Sequence, residues 1–482
     1  MNFRAVFHLI SYLLFFTTLG QFVSWGVSVA YDDPAAVRNG LLHAALLSTA
    51  VSAVLWLVTR GPIDLSRRDG FGIVTFGWLA VAHLGALPYI FSGDLADPAS
   101  ALFEAMSGFT ATGATAVTVI EDMHHGVLFW RALTQWFGGM GIIVLCVAIL
   151  PFLGVGGMQL YRAEFSGPSK DRLTPRIEST AKLLWGVYLL LSLACILLIR
   201  FGGVDWFDAV CTGFTTIATG GFTTTNQSVA AFDSLYVESV MIVFMILGAL
   251  HFPLHYRAIT GRPLNYFKNP EFRFFMACWL GFVLMVTLNI RGAHVASLGE
   301  ALRAALFQCT SIITTSGFVT ADYDQWPTAS RFLLVLMMLI GGCAGSTSGG
   351  MKAVRVFALI KKGFREVRLF MLPNAVVQVK MGGKTVEHAI ISNITSFFII
   401  FIFIWVAGTL LMTMFTPDLE TAMASVLATL GNIGPGFGGI GPTENYGWIA
   451  TPGKVLLTFF MLLGRLELYT VLVLLLPGFW RK

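Results

Sequence analysis

Charge is scarce in this chain. Only 12% of its 482 residues are Asp, Glu, Lys or Arg, against 56% hydrophobic residues and a mean hydropathy of +0.75. Soluble domains carry about 25% charged residues, so a soluble globular protein is excluded and an integral membrane protein of bundled helices is expected. Cysteine is also scarce. The six present (Cys146, Cys195, Cys211, Cys278, Cys309, Cys343) form no CxxC pair and lie in or beside apolar runs. They read as small hydrophobes, not as a disulfide or metal framework. No HExxH motif accompanies the histidines. His124 and His125 flank an outer helix start, and His251 and His255 read as interfacial residues at the cytoplasmic end of a span.

Other absences narrow the function. No GxGxxG stands between a strand and a helix, so a nucleotide would have to be sensed by a partner. No cluster of carboxylates or histidines marks an interfacial active site, which argues against a membrane-embedded transferase and against an enzyme generally. No chain of Asp and Glu runs through the apolar segments, which disfavours a proton relay. The net charge of +5 sits in loops and suggests no nucleic-acid role. The first apolar segment, 5–30, is too long for a signal-peptide core and lacks an A-x-A site, so no cleaved leader is expected.

What is abundant is apolar length. Crossing the hydrocarbon takes about 20 residues, and ten spans are expected near 5–30, 40–59, 71–92, 126–151, 181–201, 235–258, 272–292, 330–360, 388–415 and 453–477. Basic residues follow the even-numbered spans: Arg60, Arg67 and Arg68; Arg162, Lys170, Arg172, Arg176 and Lys182; Arg257, Arg262, Lys268 and Arg273; Lys361, Lys362, Arg365, Arg368, Lys380 and Lys384; Arg481 and Lys482. The opposite loops hold Asp32, Asp33, Glu121, Asp122, Asp322, Asp324 and Glu444. The positive-inside rule then places both termini in the cytoplasm.

Between the spans a unit recurs four times. Aligned without gaps, it reads LFEAMSGFTATGA (102–114), VCTGFTTIATGGF (210–222), LFQCTSIITTSGF (306–318) and MASVLATLGNIGP (423–435). The shared glycines Gly113, Gly221, Gly317 and Gly434 are 108, 96 and 117 residues apart by subtraction. Each unit begins with a segment too short to span: the 12 residues from Pro98 to Phe109 make a helix of roughly 18 Å. Expected helix starts are Asp97 with Pro98, a point near Asp205, Ser297 with Glu300 as a capping box, and Thr416 with Pro417.

Non-helical backbone at membrane depth must line water or be buried in protein. Four half-helices converging on an axis would aim the negative ends of their dipoles at its centre, and glycine-bearing loops could replace the hydration of a cation with carbonyls. The candidate ion-binding residues are therefore Ala111, Thr112 and Gly113; Thr219, Gly220 and Gly221; Thr315, Ser316 and Gly317; and Asn432, Ile433 and Gly434. No carboxylate lies in the four loops, which suits a large, weakly hydrated monovalent cation over Ca²⁺ or Mg²⁺.

Two further features fall inside apolar segments. GGCAGSTSGG (341–350) cannot hold a continuous helix, and it is a candidate gate, with Gly341, Gly342, Gly345, Ser346, Thr347, Ser348, Gly349 and Gly350 forming the barrier and Lys352 just beyond it. A static re-entrant kink is the alternative. Arg465 stands between long apolar runs, and an intramembrane arginine normally faces a cavity or a partner. It is read as facing the pore; a buried pair is the alternative, although Glu467, two residues on, does not share its helix face.

The motifs FEAMSGFTATGAT, QWFGGMGIIVL (135–145), FTTIATGGF (214–222) and GGCAGSTSGGMKAVRV (341–356) resemble the TrkH potassium transporter family, part of the wider superfamily of Trk, Ktr and plant HKT proteins. The resemblance covers nearly the whole chain. It implies an all-α polytopic membrane protein with four membrane–pore-loop–membrane repeats around a pseudo-fourfold pore, plus an N-terminal helix pair. The expected boundaries are 1–66 for that pair and 67–160, 161–260, 261–366 and 367–482 for the repeats. It implies K⁺ as the transported ion, uptake across a bacterial inner membrane, an intramembrane loop that obstructs the pore, a homodimer, and a cytosolic nucleotide-binding regulatory subunit of the TrkA type. The basic segments 162–182 and 361–384 are candidate docking surfaces for it. In the HKT branch a serine at the first filter glycine accompanies Na⁺ preference; Gly113 favours K⁺. The chain departs from its relatives at LGALHFPLHYRA (247–258) and at Pro435 in the fourth loop. A Na⁺- or H⁺-coupled symporter is the alternative within this class. An organic-solute transporter with inverted repeats is disfavoured, because each repeat starts from the same side.

Overall fold

The computed structural model describes residues 1–61, 65–141, 177–292 and 294–481. Cys146, the basic residues Arg162, Lys170, Arg172 and Arg176, the end of the fourth expected span and most of the segment 162–182 lie outside the described residues.

The described chain is predominantly helical. The N-terminal pair α1 (Phe3–Ala30) and α2 (Ala35–Val58) packs together, and α1 lies against the first repeat. That repeat consists of α3 (Arg67–Ser92), the short α4 (Pro98–Phe109) and α5 (His125–Gly139). The second comprises α6 (Ile177–Phe201), α7 (Trp206–Ile217), α8 (Leu235–Ala249) and α9 (Phe252–Ile259). The third comprises α10 (Pro270–Ile290), α11 (Leu298–Ile313), α12 (Thr328–Ile340) and α13 (Ala353–Met371). The fourth comprises α14 (His388–Met412), α15 (Leu419–Leu430), α16 (Thr451–Arg465) and α17 (Tyr469–Leu475). A two-stranded hairpin pairs Lys380 with Thr385 and Met381 with Lys384, between α13 and α14.

Among the described residues, six helices (α1, α2, α3, α6, α10 and α14) are long and apolar enough to cross a membrane unbroken. Three of the expected spans are interrupted, the sixth and tenth against expectation and the eighth as expected. The sixth bends by 107° between α8 and α9, where Leu250 and His251 leave the helix and Pro253 opens the next. The tenth bends by 118° between α16 and α17, where Glu467 and Leu468 both take positive φ. The eighth, read as broken, divides into α12 and α13 around residues 341–352. Proline and the left-handed residues end the i→i−4 ladder at these points.

The four short helices start on side-chain caps. Asp97 accepts from the Ser100 N–H, Asp205 from Phe207 and Asp208, Ser297 from Glu300, and Asp418 from Thr421. In the fourth, the cap falls on Asp418 instead of on Thr416 and Pro417, because the Asp418 carboxylate also takes the Thr421 hydroxyl at 2.8 Å. Each short helix packs against the second helix of the preceding repeat, α4 on α16, α7 on α5, α11 on α8 and α15 on α12. That pattern closes on itself, so the four repeats surround a common centre.

Candidate ion-conduction site

All four short helices finish in the same way. The N–H of Ala111 reaches back to the Gly108 carbonyl and that of Thr112 to Ser107, at 2.9 and 2.8 Å. The same pair of bonds recurs for Thr219 and Gly220, for Thr315 and Ser316, and for Asn432 and Ile433. This is the Schellman ending, which reverses the chain and normally uses glycine at its left-handed position. Here that position holds Ala111 (φ 51°), Thr219 (φ 52°), Thr315 (φ 58°) and Asn432 (φ 51°). A left-handed conformation costs an L-residue about 1–2 kcal/mol, and a β-branched threonine there is a conformational outlier. Four such residues at equivalent places mark backbone strain concentrated at one site.

Two residues on, Gly113, Gly221, Gly317 and Gly434 also have positive φ, between 77° and 99°. Their surroundings form a ring. A Cβ on Gly113 would overlap the carbonyl oxygen of Gly220, one on Gly221 that of Ser316, one on Gly317 that of Ile433, and one on Gly434 that of Thr112, each closer than 3.0 Å. Every loop thus sets its glycine against the carbonyl preceding the glycine of the next loop, and the fourth returns to the first. Eight of the twelve candidate residues make these contacts, and Ala111, Thr219, Thr315 and Asn432 precede them at the left-handed positions. Asn432 Nδ2 ties the fourth loop to the first through Thr112 Oγ1 at 2.9 Å. Gln135, on α5, donates to the Gly220 carbonyl at 2.6 Å and accepts from the Phe222 N–H. The Tyr446 hydroxyl donates to the Gly434 carbonyl at 2.7 Å. A cavity lined by Gly113, Gly221, Gly317, Gly434, Asn226 and Tyr446 opens on one side of the ring.

A second cavity lies on the other side, lined by Gly345, Ser346, Ser348, Gly349, Lys352, Arg465 and Glu467 among others. The interrupted loop of the eighth span runs directly beneath the ring. The Gly349 N–H donates to Thr315 Oγ1 at 2.7 Å and the Gly350 N–H to the Gly431 carbonyl at 2.9 Å. Thr347 Oγ1 donates to the carbonyls of Ile217 and Gly248, both at 3.0 Å. The loop therefore touches the ends of three of the four short helices. Gly341, Gly345 and Gly350 have φ of 69°, 69° and 74°. The Gly342 carbonyl accepts from the Ala353 N–H and so joins the loop to α13. Lys352 is buried, with its Nζ bonded to the Ser348 carbonyl.

Arg465 borders this cavity. It donates to the carbonyls of Thr347, Gly138 and Gly139, which links the loop to α5. Glu467 instead pairs with Arg355 on α13. His251 and His255 are buried: His251 Nδ1 meets the Ala344 carbonyl at 2.6 Å, and His255 bonds Tyr266 and the Leu247 carbonyl. The bend after α8 sets His251 against the loop.

Another group was not foreseen from the sequence. Glu104, on α4, and Arg131, on α5, form a fully buried ion pair at 2.9 Å behind the first two loops. The signal was available, since both are ionisable residues inside apolar segments, the rule already applied to Arg465.

A ring of helix ends and left-handed backbone, with a polar cavity on either side, defines a membrane pore protein of the four-repeat kind. The family model described as "Cation transport protein", TrkH, matches residues 38–480. The chain is 40% identical to the Trk system potassium uptake protein TrkH of Salmonella typhimurium and 39% identical to that of Escherichia coli strain K12, with 100% of each chain covered. The crystal structure of the potassium transporter TrkH from Vibrio parahaemolyticus superposes with a TM-score of 0.89 at 36% identity, covering 100% of both chains. The chain belongs to the TrkH family of cation transport proteins and is a multi-pass membrane protein.

Proposed function

We infer that the protein carries K⁺ into the cell as the membrane subunit of a Trk-type uptake system. The observation that carries this reading is the closed ring of glycines and carbonyls. Backbone that alternates the sign of φ over successive residues turns consecutive carbonyls to one side, so Ala111–Gly113, Thr219–Gly221, Thr315–Gly317 and Asn432–Gly434 would present oxygens to an ion. The ends of four helix dipoles add negative potential without formal charge. An ion of low hydration energy exchanges its water for such dipoles most readily. Relatives named as potassium uptake proteins match over their full length.

The segment 341–350 acts as the gate and Arg465 as the clamp that keeps it closed, with Lys352 beside them. An inward cation gains about 2.3 kcal/mol per 100 mV of membrane potential, enough to drive accumulation through an open pore. The site is in the bacterial inner membrane with both termini cytoplasmic. The repeats divide at 67–160, 161–260, 261–366 and 367–482 after the N-terminal pair 1–66. The protein works as a homodimer with a nucleotide-binding regulatory subunit on its cytoplasmic face, where the segments 162–182 and 361–384 are docking candidates. The test is ⁸⁶Rb⁺ uptake into proteoliposomes with competing ions. K⁺ competes strongly and Na⁺ weakly if this reading holds, and absence of alkali-cation flux overturns it.

A further inference from the structure

We propose that the buried Glu104–Arg131 pair is a positioning device that sets the ion selectivity of the first two loops. This rests on the filter reading above. Arg131 Nε donates to Glu104 Oε1 at 2.9 Å, Nη1 to the Thr223 carbonyl at 2.9 Å and Nη2 to Thr115 Oγ1 at 3.3 Å. Its guanidinium lies 4.2 Å from the ring centre of Phe222. One side chain therefore grips Thr115, two residues past Gly113, and Thr223, two residues past Gly221. Glu104 completes the frame, accepting from Thr115 Oγ1 at 3.0 Å and from the Ala116 N–H at 2.9 Å.

The third loop is braced by neutral groups, and in the fourth the charged pair Arg331–Asp324 bonds the chain only at Gly438, four residues past Gly434. Ser311 Oγ donates to the Phe318 carbonyl at 2.7 Å, and Gln308 occupies the place of Glu104, with its amide turned to accept from the Thr320 and Ala321 N–H groups. In the fourth, Tyr446 holds Gly434. The pore is thus fourfold in its backbone and asymmetric in its supports. Arginine suits the first half because its planar fork fixes several acceptors at once, whereas lysine is a mobile point charge. A buried charge next to a cation path also needs a neutralising partner, which Glu104 supplies. The pair touches no transported ion; it acts by holding the loops that do.

The test measures uptake of ⁸⁶Rb⁺ into proteoliposomes with increasing K⁺ or Na⁺ as competitor, together with size-exclusion profile and thermal unfolding. Arg131→Lys keeps the charge and loses the fork. Its expected result is retained transport, with the preference for K⁺ over Na⁺ reduced at least severalfold because lysine cannot reproduce the fork. Glu104→Gln with Arg131→Met removes both charges and is expected to lose preference similarly, which separates positioning from field effects. Thr115→Val deletes only the hydroxyl between the two side chains and keeps the test alive if the others do not fold; a smaller shift of the same sign is expected. Unaltered K⁺/Na⁺ preference in the variants that fold overturns the proposal. Absence of flux in the parent protein overturns the filter reading instead.

Discussion

Nη1 of Arg465, the last residue of α16, lies 2.7 Å from the carbonyl oxygen of Thr347 in the loop beneath the ring. The same guanidinium bonds the carbonyls of Gly138 and Gly139 on α5. One cation thus bridges the fourth repeat, the first repeat and the interrupted span of the third. Hydrogen bonds from a charged donor contribute about 1.5–3 kcal/mol each, so the one to Thr347 adds to the loop's other bonds at Thr315, Gly431, Ile217 and Gly248. Arg465→Ala is expected to raise ⁸⁶Rb⁺ uptake severalfold, through a looser loop and a smaller positive barrier below the ring. Equal uptake in variant and parent would assign Arg465 to structure alone.

Gly113 tests the ring itself. It has φ 83°, and its Cβ position is filled by the Gly220 carbonyl. Gly113→Ala must shift that carbonyl or its own loop, and Gly113→Asp adds a charge as well; both are expected to abolish uptake. Gly93 provides the control. It shares the positive φ (87°) but has nothing within 4 Å of a Cβ, so Gly93→Ala costs about 1 kcal/mol of stability and leaves uptake unchanged. Uptake measured beside thermal unfolding separates the two, and active Gly113→Ala protein would contradict the ring assignment.

Ala111 tests the strain. Its left-handed backbone (φ 51°) costs an L-residue about 1–2 kcal/mol. Glycine removes that cost but gives up about 0.5–1 kcal/mol through its freer unfolded chain. Ala111→Gly is therefore expected to be neutral or up to about 1 kcal/mol more stable, with uptake retained. Ala111→Val brings a β-branched side chain into the same conformation within a buried loop and is expected to lower both stability and uptake. Marked destabilisation by glycine in thermal unfolding would contradict the strain argument.

The parts legible in the sequence are those with a repeated or compositional signal. Four glycines after four half-length segments disclosed the loops, and glycine density disclosed the broken eighth span. Asp97, Asp205 and Ser297 were readable as caps because a capping side chain acts locally. Asp418 was missed because Thr416 and Pro417 offer the same local chemistry two residues earlier, and only the contact to Thr421 decides between them. Ala111, Thr219 and Thr315 in left-handed backbone left no mark, since tertiary packing overrides their local preference, whereas Asn432 is of a type that adopts it readily. The bend at Leu250 and His251 buries two histidines inside the protein, and one-dimensional hydropathy does not register such a bend. Glu104 and Arg131, 27 residues apart, meet only because α4 folds back against α5.

The loop 341–350 separates a gate from a kink. It is fixed by Gly349 to Thr315, by Gly350 to Gly431, and by Thr347 to Ile217, Gly248 and Arg465. All but Gly248 and Arg465 belong to the ends of the short helices or the ring, and the segment also lines the second cavity. If it is a barrier, shortening it removes material from the path and flux rises. If it is a kink that only joins α12 to α13, shortening strains α13 and flux stays level or falls. Thr347→Ala gives a finer version: it removes the hydroxyl's bonds to two carbonyls and leaves the main chain in place, and a smaller rise in ⁸⁶Rb⁺ uptake is expected. Both variants should elute as the parent does on size exclusion. Well-folded protein with unaltered flux in both would reassign the loop to architecture and leave Arg465 to explain closure alone.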